Sequence, residues 1–288
     1  MKRFLGILLF VFLVVHFCAA QADSTAKEKE YAAPWFVQKY QLSVGTFIPI
    51  SNTQIKVGLT NANTGTQVDF ESDLGFNTTI GTIIADFQYR LHRRSRFDLT
   101  YYHINRSSTK TLTKDINFGE NTYHANTTVG AFFNTNIYRF SWGYSVIEKQ
   151  KFELGFLIGA HIINTSAELN ANGTNTSVSV KDEFGVTAPL PDLGIFGGYA
   201  FSDRFAVNGE IDFLAVKIGD IKGRILGGSV SFLYRLSKQF DLAAGYTGLN
   251  VKVDATKPKF TGNFKWGYNG PSLTASFWFG KKYWGHKN

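Results

Sequence analysis

Two histidine clusters are the first side chains whose types and spacing could do chemistry. His103 lies near Ser107 and Ser108, and His161 lies near Ser166. A serine hydroxyl activated by a histidine could cleave an ester or amide bond, which is what a barrel lipase or deacylase needs. Polar clusters of this kind are also common at strand ends. We therefore interpret both histidines as hydrogen-bonded loop or lumen residues and assign no catalytic residue.

A pair of carboxylates is the second candidate. Glu210 and Asp212 are two residues apart, so both project from the same face of an extended strand. Two carboxylates facing one cavity could hold a cation or a proton. The alternative is that basic residues such as Arg139 or Arg235 neutralise them, and we favour it because buried charges are normally paired. We expect no metal site and no cofactor.

The residues around this pair alternate between apolar and polar side chains. Phe205, Ile211 and Phe213 fall on one face of an extended chain, and Glu210 and Asp212 fall on the other. An alternation with period two predicts a strand with one apolar and one polar face. The same pattern recurs in segments 81–91, 138–146 and 152–162.

The polar faces of these strands are rich in Gly, Ser and Ala, with scattered charges. That mixture suits the narrow lumen of a small barrel, whereas the outer face of a soluble sandwich carries many Lys and Glu. We therefore predict that the apolar rows face lipid and that the charged residues form a lumen charge network. Its members are Asp86, Arg90, Asp98, Arg139, Glu153, Glu210, Asp212, Arg235 and Asp241.

Within this network we expect two pairs across hairpins. Arg90 and Asp98 lie on opposite arms of one predicted hairpin, and Arg235 and Asp241 lie on opposite arms of another. Cross-strand pairs of opposite charge stabilise a sheet. Both pairs should help to seal the periplasmic end of the barrel.

The amino terminus has the three parts of an export signal. Lys2 and Arg3 are basic, residues 4–17 are mostly apolar, and residues 20–22 supply a small-x-small cleavage site. We predict cleavage after Ala22, with Ala20 as the alternative. The predicted parts of the chain are a signal peptide (1–22), a periplasmic N-terminal segment (23–38), the barrel (39–280) and a C-terminal tail (281–288).

Cysteine content and charge exclude several classes of function. The one cysteine among 288 residues, Cys18, lies in the predicted leader, so the mature chain has no disulfide, cysteine–zinc site or thiol nucleophile. His16 and Phe17 stand where a lipoprotein signal needs small residues, so a lipoprotein anchored through Cys18 is not favoured.

The mature chain is basic. After Ala22 it has 28 basic and 22 acidic side chains, which give a net charge of +6. In an exported chain this balance favours anionic lipid headgroups or lipopolysaccharide phosphates over nucleic acid, and an ordinary solvated surface of mixed charge is the alternative.

No run of about 18 apolar residues follows the leader, so we do not expect a helix that spans a membrane. The chain is therefore either a secreted β-protein or a membrane barrel.

The number of strands follows from the connections between them. Short polar turns are predicted at 91–96, 147–151, 201–204 and 236–239, and long loops near 61–65, 107–126, 169–191, 219–223 and 255–271. The fold class is therefore all-β: an antiparallel transmembrane β-barrel of about ten strands, eight and twelve being the alternatives. Both termini should be periplasmic, because short turns occupy that side.

The last predicted strand ends in aromatic residues. Phe277 and Phe279 share its apolar face, which is similar to the C-terminal signal that the barrel-assembly machinery reads. In that signal the aromatic residue is usually the last of the chain, whereas here the tail follows it.

Several short motifs resemble a widespread, poorly characterised family of proteobacterial outer-membrane barrel proteins. The matching residues are Gly65-Thr66, Phe70-Glu71-Ser72-Asp73-Leu74-Gly75-Phe76, Tyr89-Arg90-Leu91, Asn117-Phe118-Gly119, Gly219-Asp220 and Tyr268-Asn269-Gly270-Pro271. The resemblance covers most of the mature chain. It implies a barrel in the cell outer membrane, with no settled activity and no catalytic residues to carry over.

Three functions remain open at this point. The favoured hypothesis is a non-enzymatic structural or interaction barrel with a largely filled lumen, acting through its extracellular loops. The second is a small-solute pore or transporter, and the third is a lipid-active barrel enzyme. The expected partners are outer-membrane lipids, lipopolysaccharide and the barrel-assembly machinery, and no nucleic acid.

Overall fold

A computed structural model describes residues 33–58, 66–118, 121–172, 179–257 and 260–280. The predicted signal peptide, most of the predicted periplasmic segment and the predicted tail lie outside these described residues. Within them, no helix is long and apolar enough to cross a membrane.

The described chain is built from antiparallel strands. In chain order they are β1 Tyr40–Phe47, β2 Ile50–Gly58, β3 Gln67–Asp69, β4 Thr82–His92, β5 Ser95–Thr111, β6 Ile116–Phe118, β7 Asn121–Tyr123, β8 Thr128–Glu148, β9 Phe152–Asn172, β10 Ser179–Ala200, β11 Phe205–Ile218, β12 Ile221–Arg235, β13 Phe240–Lys257 and β14 Phe260–Phe279. Aromatic and β-branched side chains are frequent in them, because these fit a pleated surface.

Ten strand positions close into a ring. Hydrogen bonds join β1, β4, β5, β8, β9, β10, β11, β12, β13 and β14 in that order, and β14 pairs back with β1. Closure removes the unpaired edges that an open sheet would present to lipid. The predicted antiparallel barrel of ten strands is confirmed.

The first strand position is shared by β1 and β2. Phe47 pairs with Ser272 and Ile50 pairs with Asn269, so both strands follow one register along β14. The interruption falls at Pro49, which has no backbone N–H to donate to a ladder.

One end of the ring carries the short connections. The four predicted short turns all lie there, between β4 and β5, β8 and β9, β10 and β11, and β12 and β13. The start of β1 and the end of β14 lie at the same end, which we call the turn end.

The predicted long loops are mostly strand. β9 continues to Asn172, β10 starts at Ser179, β12 starts at Ile221 and β14 starts at Phe260, all inside ranges that we predicted to be loops. Residues 107–126 hold the end of β5 and the small β6–β7 hairpin. The prediction was wrong because the Asn, Thr, Ser and Gly content that suggested loops belongs to water-facing strands. The predicted loop 61–65 lies outside the described residues.

An apolar belt surrounds the ring next to the turn end. Its side chains point outward and are roughly 40 to 65% exposed, although they are large and apolar. Members of the belt include Leu42, Val44, Ile83, Leu99, Phe140, Phe156, Ile158, Ile195, Ile211, Phe213, Phe232, Leu273 and Phe277. A continuous exposed surface of this kind fits contact with lipid. The apolar rows therefore point outward, as predicted.

Halfway along the strands, the apolar side chains change from the outer face of the ring to its inner face. On β8, Tyr138, Phe140 and Val146 point outward and are exposed, whereas Phe133 and Ile137 point inward and are buried. The strand is regular at this point, so the backbone alternation is unbroken. The apolar side chains move from the outer face to the inner face at residues 137 and 138.

The neighbouring strand changes at the same level. On β9, Phe156, Ile158 and Ile162 point outward, whereas Ile163 and Ala167 point inward. Ile162 pairs with Tyr138 and Ile163 with Ile137. We call the part of the ring that carries the belt the belt half, and the continuation of the strands beyond this level the distal half.

The interior of the distal half is an apolar core. Inward side chains of the strands pack there with side chains from residues 70–76 and from the β6–β7 hairpin. Its most buried members include Phe47, Ile55, Leu74, Ile104, Ile116, Phe118, Phe133, Val251 and Trp266. The distal half is thus organised like a soluble protein, with its apolar surface removed from water on the inside.

Candidate functional site

The polar lumen of the belt half is the candidate site. Alternation places the inward residues of each strand on this lumen, and most of the charged ones lie in three groups at successive levels. Together with their partners they form the lumen charge network. Every member named below is held by a strand except Arg93, which lies in the turn between β4 and β5.

The first group lies near the turn end. Arg90 on β4 donates to both oxygens of Glu153 on β9, with Nη1–Oε1 2.8 Å and Nη2–Oε2 3.2 Å. Ser145 Oγ also donates to Glu153 Oε1, and the Arg93 Nε to Glu148 Oε2 distance is 2.9 Å. Arg90 and Glu153 are only 1% and 2% exposed, so this bidentate pair crosses the lumen away from water.

Arg90 therefore does not have the partner that we predicted. Arg96, not Arg90, pairs with Asp98, with Nε–Oδ2 3.1 Å. Asp98 stands opposite Gln88 in the register and accepts a hydrogen bond from its Nε2 at 2.7 Å. The prediction assumed pairing within one hairpin, whereas a narrow closed barrel also brings non-adjacent strands face to face.

The second group surrounds Arg96. Its guanidinium lies 3.7 Å from the centroid of the Phe196 ring and reaches Glu210 at 4.0 Å. Asp86 lies at this level and accepts a hydrogen bond from Thr100 Oγ1 at 2.7 Å. Arg96 thus links Asp98 and Glu210 while packing its planar face on an aromatic ring.

The third group has Arg139 at its centre. Arg139 on β8 forms ion pairs with Glu210, with Asp212 (Nη2–Oδ1 3.0 Å) and, more distantly, with Asp192 (Nη2–Oδ1 3.6 Å). His161 Nδ1 lies 2.9 Å from Asp192 Oδ2. Arg139 therefore partly neutralises the Glu210 and Asp212 pair, as we expected for two carboxylates in a lumen.

Two members of this group were missed at the sequence level. His161 was noted on the polar face of its strand, but no partner was assigned to it. Asp192 was overlooked because it directly follows the predicted loop 169–191. The signal that could have found it is the inward row of Leu190, Asp192 and Phe196, which continues the period of two.

The remaining two predicted members do not join these groups. Arg235 and Asp241 stand opposite each other in the register, but among the described contacts they do not form the predicted ion pair. Arg235 donates to the carbonyl oxygens of Asp203 and Trp35 and stacks on the Trp35 ring at 4.5 Å. Asp241 accepts a hydrogen bond from the indole of Trp278. Both contribute to the turn end separately.

Residues 33–39 close that end. Phe36 and Val37 are buried against Leu233, Trp278 and small side chains of the barrel wall. Trp35 Nε1 donates to Ser202 O at 3.1 Å. The described end of the predicted periplasmic segment therefore enters the mouth of the ring.

A folded loop at residues 70–80 closes the distal half, and we call it the plug loop. Phe70 stacks on Phe76 with a centroid distance of 5.1 Å and meets Phe133 edge to face at 5.5 Å. Glu71 pairs with Arg106 at 2.5 Å and accepts the Thr53 N–H at 2.8 Å. The loop includes the motif Phe70–Phe76 of the family resemblance, which thus has a structural role.

A polar cavity of about 190 Å³ lies in the lumen of the belt half, with Phe36 in its lining. Hydroxyl and amide side chains line it together with the charged groups, including Gln41, Ser43, Ser229, Ser231, Thr247 and Thr274. A lumen of this composition can hold water or a small polar ion. Its ion pairs also resist separation, because breaking a buried pair leaves an uncompensated charge.

The histidine clusters do not form serine dyads in the described contacts. His103 Nδ1 meets Asn136 Oδ1 at 2.9 Å, while Ser108 Oγ donates to Leu74 O at 2.7 Å. His161 meets an aspartate instead of a serine. This His161–Asp192 pair lies inside the lumen and is buried.

Comparison with known proteins gives a fold and no family. No family model matches the chain, and no curated protein sequence matches it either. The crystal structure of the outer membrane protease OmpT from Escherichia coli is similar over 85% of this chain and 100% of that chain, with a TM-score of 0.52 and 9% identity.

Two further structures are more distant. The translocator domain of the autotransporter NalP from Neisseria meningitidis matches with a TM-score of 0.44 and 8% identity, over 95% of this chain and 96% of that one. The attachment invasion locus protein Ail of Yersinia pestis matches with a TM-score of 0.33 and 10% identity, over 84% and 100%. Together with the closed ring and the apolar belt, the likeness to OmpT shows that the chain has the fold of an outer-membrane β-barrel.

Proposed function

We propose that this chain is a closed barrel of the outer membrane that acts as a structural and interaction protein through its distal half. Three features support the location: the fold, the apolar belt, and the motifs that resemble proteobacterial outer-membrane barrels. In this proposal the turn end faces the periplasm and the distal half projects from the cell, because short turns are periplasmic in such barrels.

The obstruction of the lumen carries the proposal. A solute would have to pass the apolar core with its plug loop, then the lumen charge network, then residues 33–39. The plug loop is held by the Glu71–Arg106 ion pair, and Arg106 is 3% exposed. These obstructions favour a closed barrel over an open pore.

Planar-bilayer recording tests the closed state. The purified protein is expected to give no stable conductance steps over a range of voltages. The matched variant Arg106→Met should release the plug loop without changing the belt, but it leaves the lumen charge network and residues 33–39 in place, so it should conduct little. Flotation of the protein with lipid vesicles controls for its insertion. Stable ohmic steps from the unaltered protein would contradict the proposal.

A row of basic side chains supports lipopolysaccharide as a partner. Arg224, Lys252 and Lys265 stand opposite one another on β12, β13 and β14, and all three point outward from the distal half. Arg224 lies two residues beyond Leu226 of the belt. Lys252 also pairs with Asp254, with Nζ–Oδ2 3.3 Å, and this one carboxylate leaves the three cations with a net positive charge. Like charges placed directly opposite one another destabilise a sheet, so an anion such as a lipid phosphate would relieve the remaining repulsion.

Lipid binding tests this partner. The triple variant Arg224→Ala, Lys252→Ala, Lys265→Ala should bind lipopolysaccharide more weakly, and the loss should disappear with dephosphorylated lipid A. A second triple variant at exposed cations near the turn end, Lys149→Ala, Lys151→Ala, Arg204→Ala, is the control. Equal binding by all three proteins would remove the row from the proposal.

The end of the ring supports a third partner, the barrel-assembly machinery. Phe277 and Phe279 are exposed on the last strand, and Phe279 stacks on Tyr40 at 5.0 Å across the closing seam. The double variant Phe277→Ala, Phe279→Ala should lower the amount of folded protein in the outer membrane. Unchanged assembly would mean that the machinery reads another signal.

A gated path for small solutes is the second candidate function. The polar cavity favours it, because a purely structural lumen does not need to retain space. Opening would require residues 33–39 to move together with the plug loop. Liposome swelling separates the two functions: uptake of small polar solutes by the unaltered protein favours the path.

A further inference from the structure

Three metal-ligating side chains meet on adjacent strands at the border between the belt half and the distal half. They are His161 on β9, Asp192 on β10 and Asp212 on β11. One ligand atom of each lies within 4.8 Å of the others. The closest pair, His161 Nδ1 and Asp192 Oδ2, is 2.9 Å apart. This is a hydrogen-bond distance, whereas tetrahedral ligands at about 2.0–2.2 Å from a metal lie about 3.3–3.6 Å apart. The two atoms would therefore have to separate by only about 0.5 Å to bind one ion.

Two carboxylate oxygens of this cluster lack hydrogen-bond donors. Within the described part of the chain, no donor lies within hydrogen-bond distance of Asp192 Oδ1 or Asp212 Oδ2, and the Arg139 Nη2 near Asp192 Oδ1 is 3.6 Å away. The two side chains are only 1% and 3% exposed, and His161 is 4% exposed. A buried carboxylate oxygen without a donor is costly, and a bound cation is one way to satisfy it.

Glycines on the neighbouring strands leave room for these carboxylates. A Cβ at Gly227 would lie 2.5 Å from Asp212 Oδ2, and a Cβ at Gly159 would lie 3.0 Å from Asp192 Oδ1. Any larger residue at either position would press on an oxygen of the cluster. The wall of the barrel is therefore shaped around these two carboxylates.

The charge of the surrounding lumen also favours a cation. The second and third groups of the lumen charge network contain five carboxylates, namely Asp86, Asp98, Asp192, Glu210 and Asp212. The described arginines at these levels are Arg96 and Arg139, so the carboxylates outnumber the arginines. The Arg90–Glu153 pair is neutral by itself and changes nothing in this balance.

We infer that His161, Asp192 and Asp212 form a binding site for a divalent transition-metal ion such as Zn²⁺. One imidazole nitrogen and two carboxylate oxygens suit this class of ion, and the set leaves further coordination positions for water. Arg139 keeps its pair with Glu210 and releases Asp212 to the metal. The ion then joins β9, β10 and β11 at the level where the polar lumen meets the apolar core.

Metal binding to the full-length protein tests the inference. Because the site is enclosed, the protein is refolded from urea into detergent micelles with and without Co²⁺, and the visible absorption of bound Co²⁺ is recorded. We expect one Co²⁺ per chain, displaced by Zn²⁺, and a higher unfolding temperature in the presence of Zn²⁺. His161→Ala and Asp212→Asn should each weaken binding by about tenfold or more.

A second pair of variants covers the case in which a ligand variant does not fold. Gly227→Ala keeps every ligand but pushes on Asp212 Oδ2, so it should weaken Co²⁺ binding. Gly228→Ala on the outer face of the same strand and His103→Ala near the belt should not. Absence of a Co²⁺ spectrum and of a Zn²⁺-dependent shift in the unaltered protein would overturn the inference. Binding that is equal in His161→Ala, Gly227→Ala and the controls would overturn it too.

Discussion

The belt half and the distal half are built from the same strands but bury opposite kinds of side chains. In the belt half, charged groups lie inside and aromatic rings outside. In the distal half, Phe133 and Trp266 lie inside and polar residues outside. The backbone alternation is the same in both halves, so the difference lies in which residues occupy the inward positions.

This difference shows what each surrounding medium selects. Lipid provides no hydrogen bonds, so the belt half keeps its polar groups inside, where they pair with one another. Water drives apolar surface inward in the distal half. The change at residues 137 and 138 of β8 therefore marks the level at which the barrel leaves the membrane in our proposal.

Neutralising a buried charge in the belt half should have the largest effect. Arg90→Met leaves Glu153 buried without its partner, which should lower the free energy of unfolding by about 3–5 kcal/mol. Urea unfolding in lipid vesicles measures this change, and bilayer recordings should show no rise in conductance. The control is Lys252→Met, which breaks the exposed Lys252–Asp254 pair in the distal half and should cost less than about 1 kcal/mol. A large rise in conductance with unchanged stability would refute a sealing role for Arg90.

Truncating an inward ring in the distal half should cost nearly as much. Phe133→Ala removes a fully buried side chain from the apolar core and should cost about 3–5 kcal/mol, because it leaves a cavity. Phe140→Ala on the same strand truncates a lipid-facing ring that is 52% exposed, and lipid can fill the space. It should cost at most about 2 kcal/mol. Similar losses in the same unfolding assay would remove the contrast between the two halves.

Placing a charge on the outer face locates the membrane border. Phe140→Arg puts a cation into the belt and should cost about 2–4 kcal/mol in lipid vesicles. Phe132→Arg, eight residues away on the same face of β8, should cost less than about 1 kcal/mol if the distal half lies in water. If both variants were equally destabilised, the belt would have to extend over the distal half.

The local effect of acidification at Asp69, the residue just before the plug loop, should be the smallest of these effects. Burial raises the pKa of Asp69, but hydrogen bonds from the Ser72 N–H and the Gln54 amide outweigh it and bring the pKa below the ordinary value of 3.8. A carboxylate with a lowered pKa in the folded state stabilises it above that ordinary value, and this contribution is lost as the pH falls further.

Amide hydrogen exchange of residues 69–73 measures this local change. After correction for the intrinsic pH dependence, protection should fall below a pH of about 4 in the unaltered protein. In Asp69→Asn the protection should be weaker throughout and nearly independent of pH in the same range. Protection that rises on acidification would contradict the direction of the pKa change.

The sequence revealed the architecture better than the contacts of the site. Alternation in segments such as 138–146 identified the outward rows, and the four short turns together with the five long loops predicted about ten strands. The same reasoning predicted loops at 169–191 and 255–271, where the strands in fact continue. The strands of the distal half have the composition of loops because their outer faces are polar. The switch of the apolar side chains from one face to the other at Ile137 and Tyr138 is visible in the sequence. It can be interpreted only when one part of the strand is taken to lie in lipid and the other in water.

What the sequence determined by itself was the face on which each side chain lies, because the period of two is a property of every extended strand. The tertiary structure decided which charges meet. Arg90 pairs with Glu153 rather than with Asp98, and His161 lies beside Asp192 and Asp212. The reason is that the closure and the stagger of the ring determine which strands face each other across the lumen. Alternation carries no information about that stagger, so the three candidate metal ligands became a cluster only in the closed barrel.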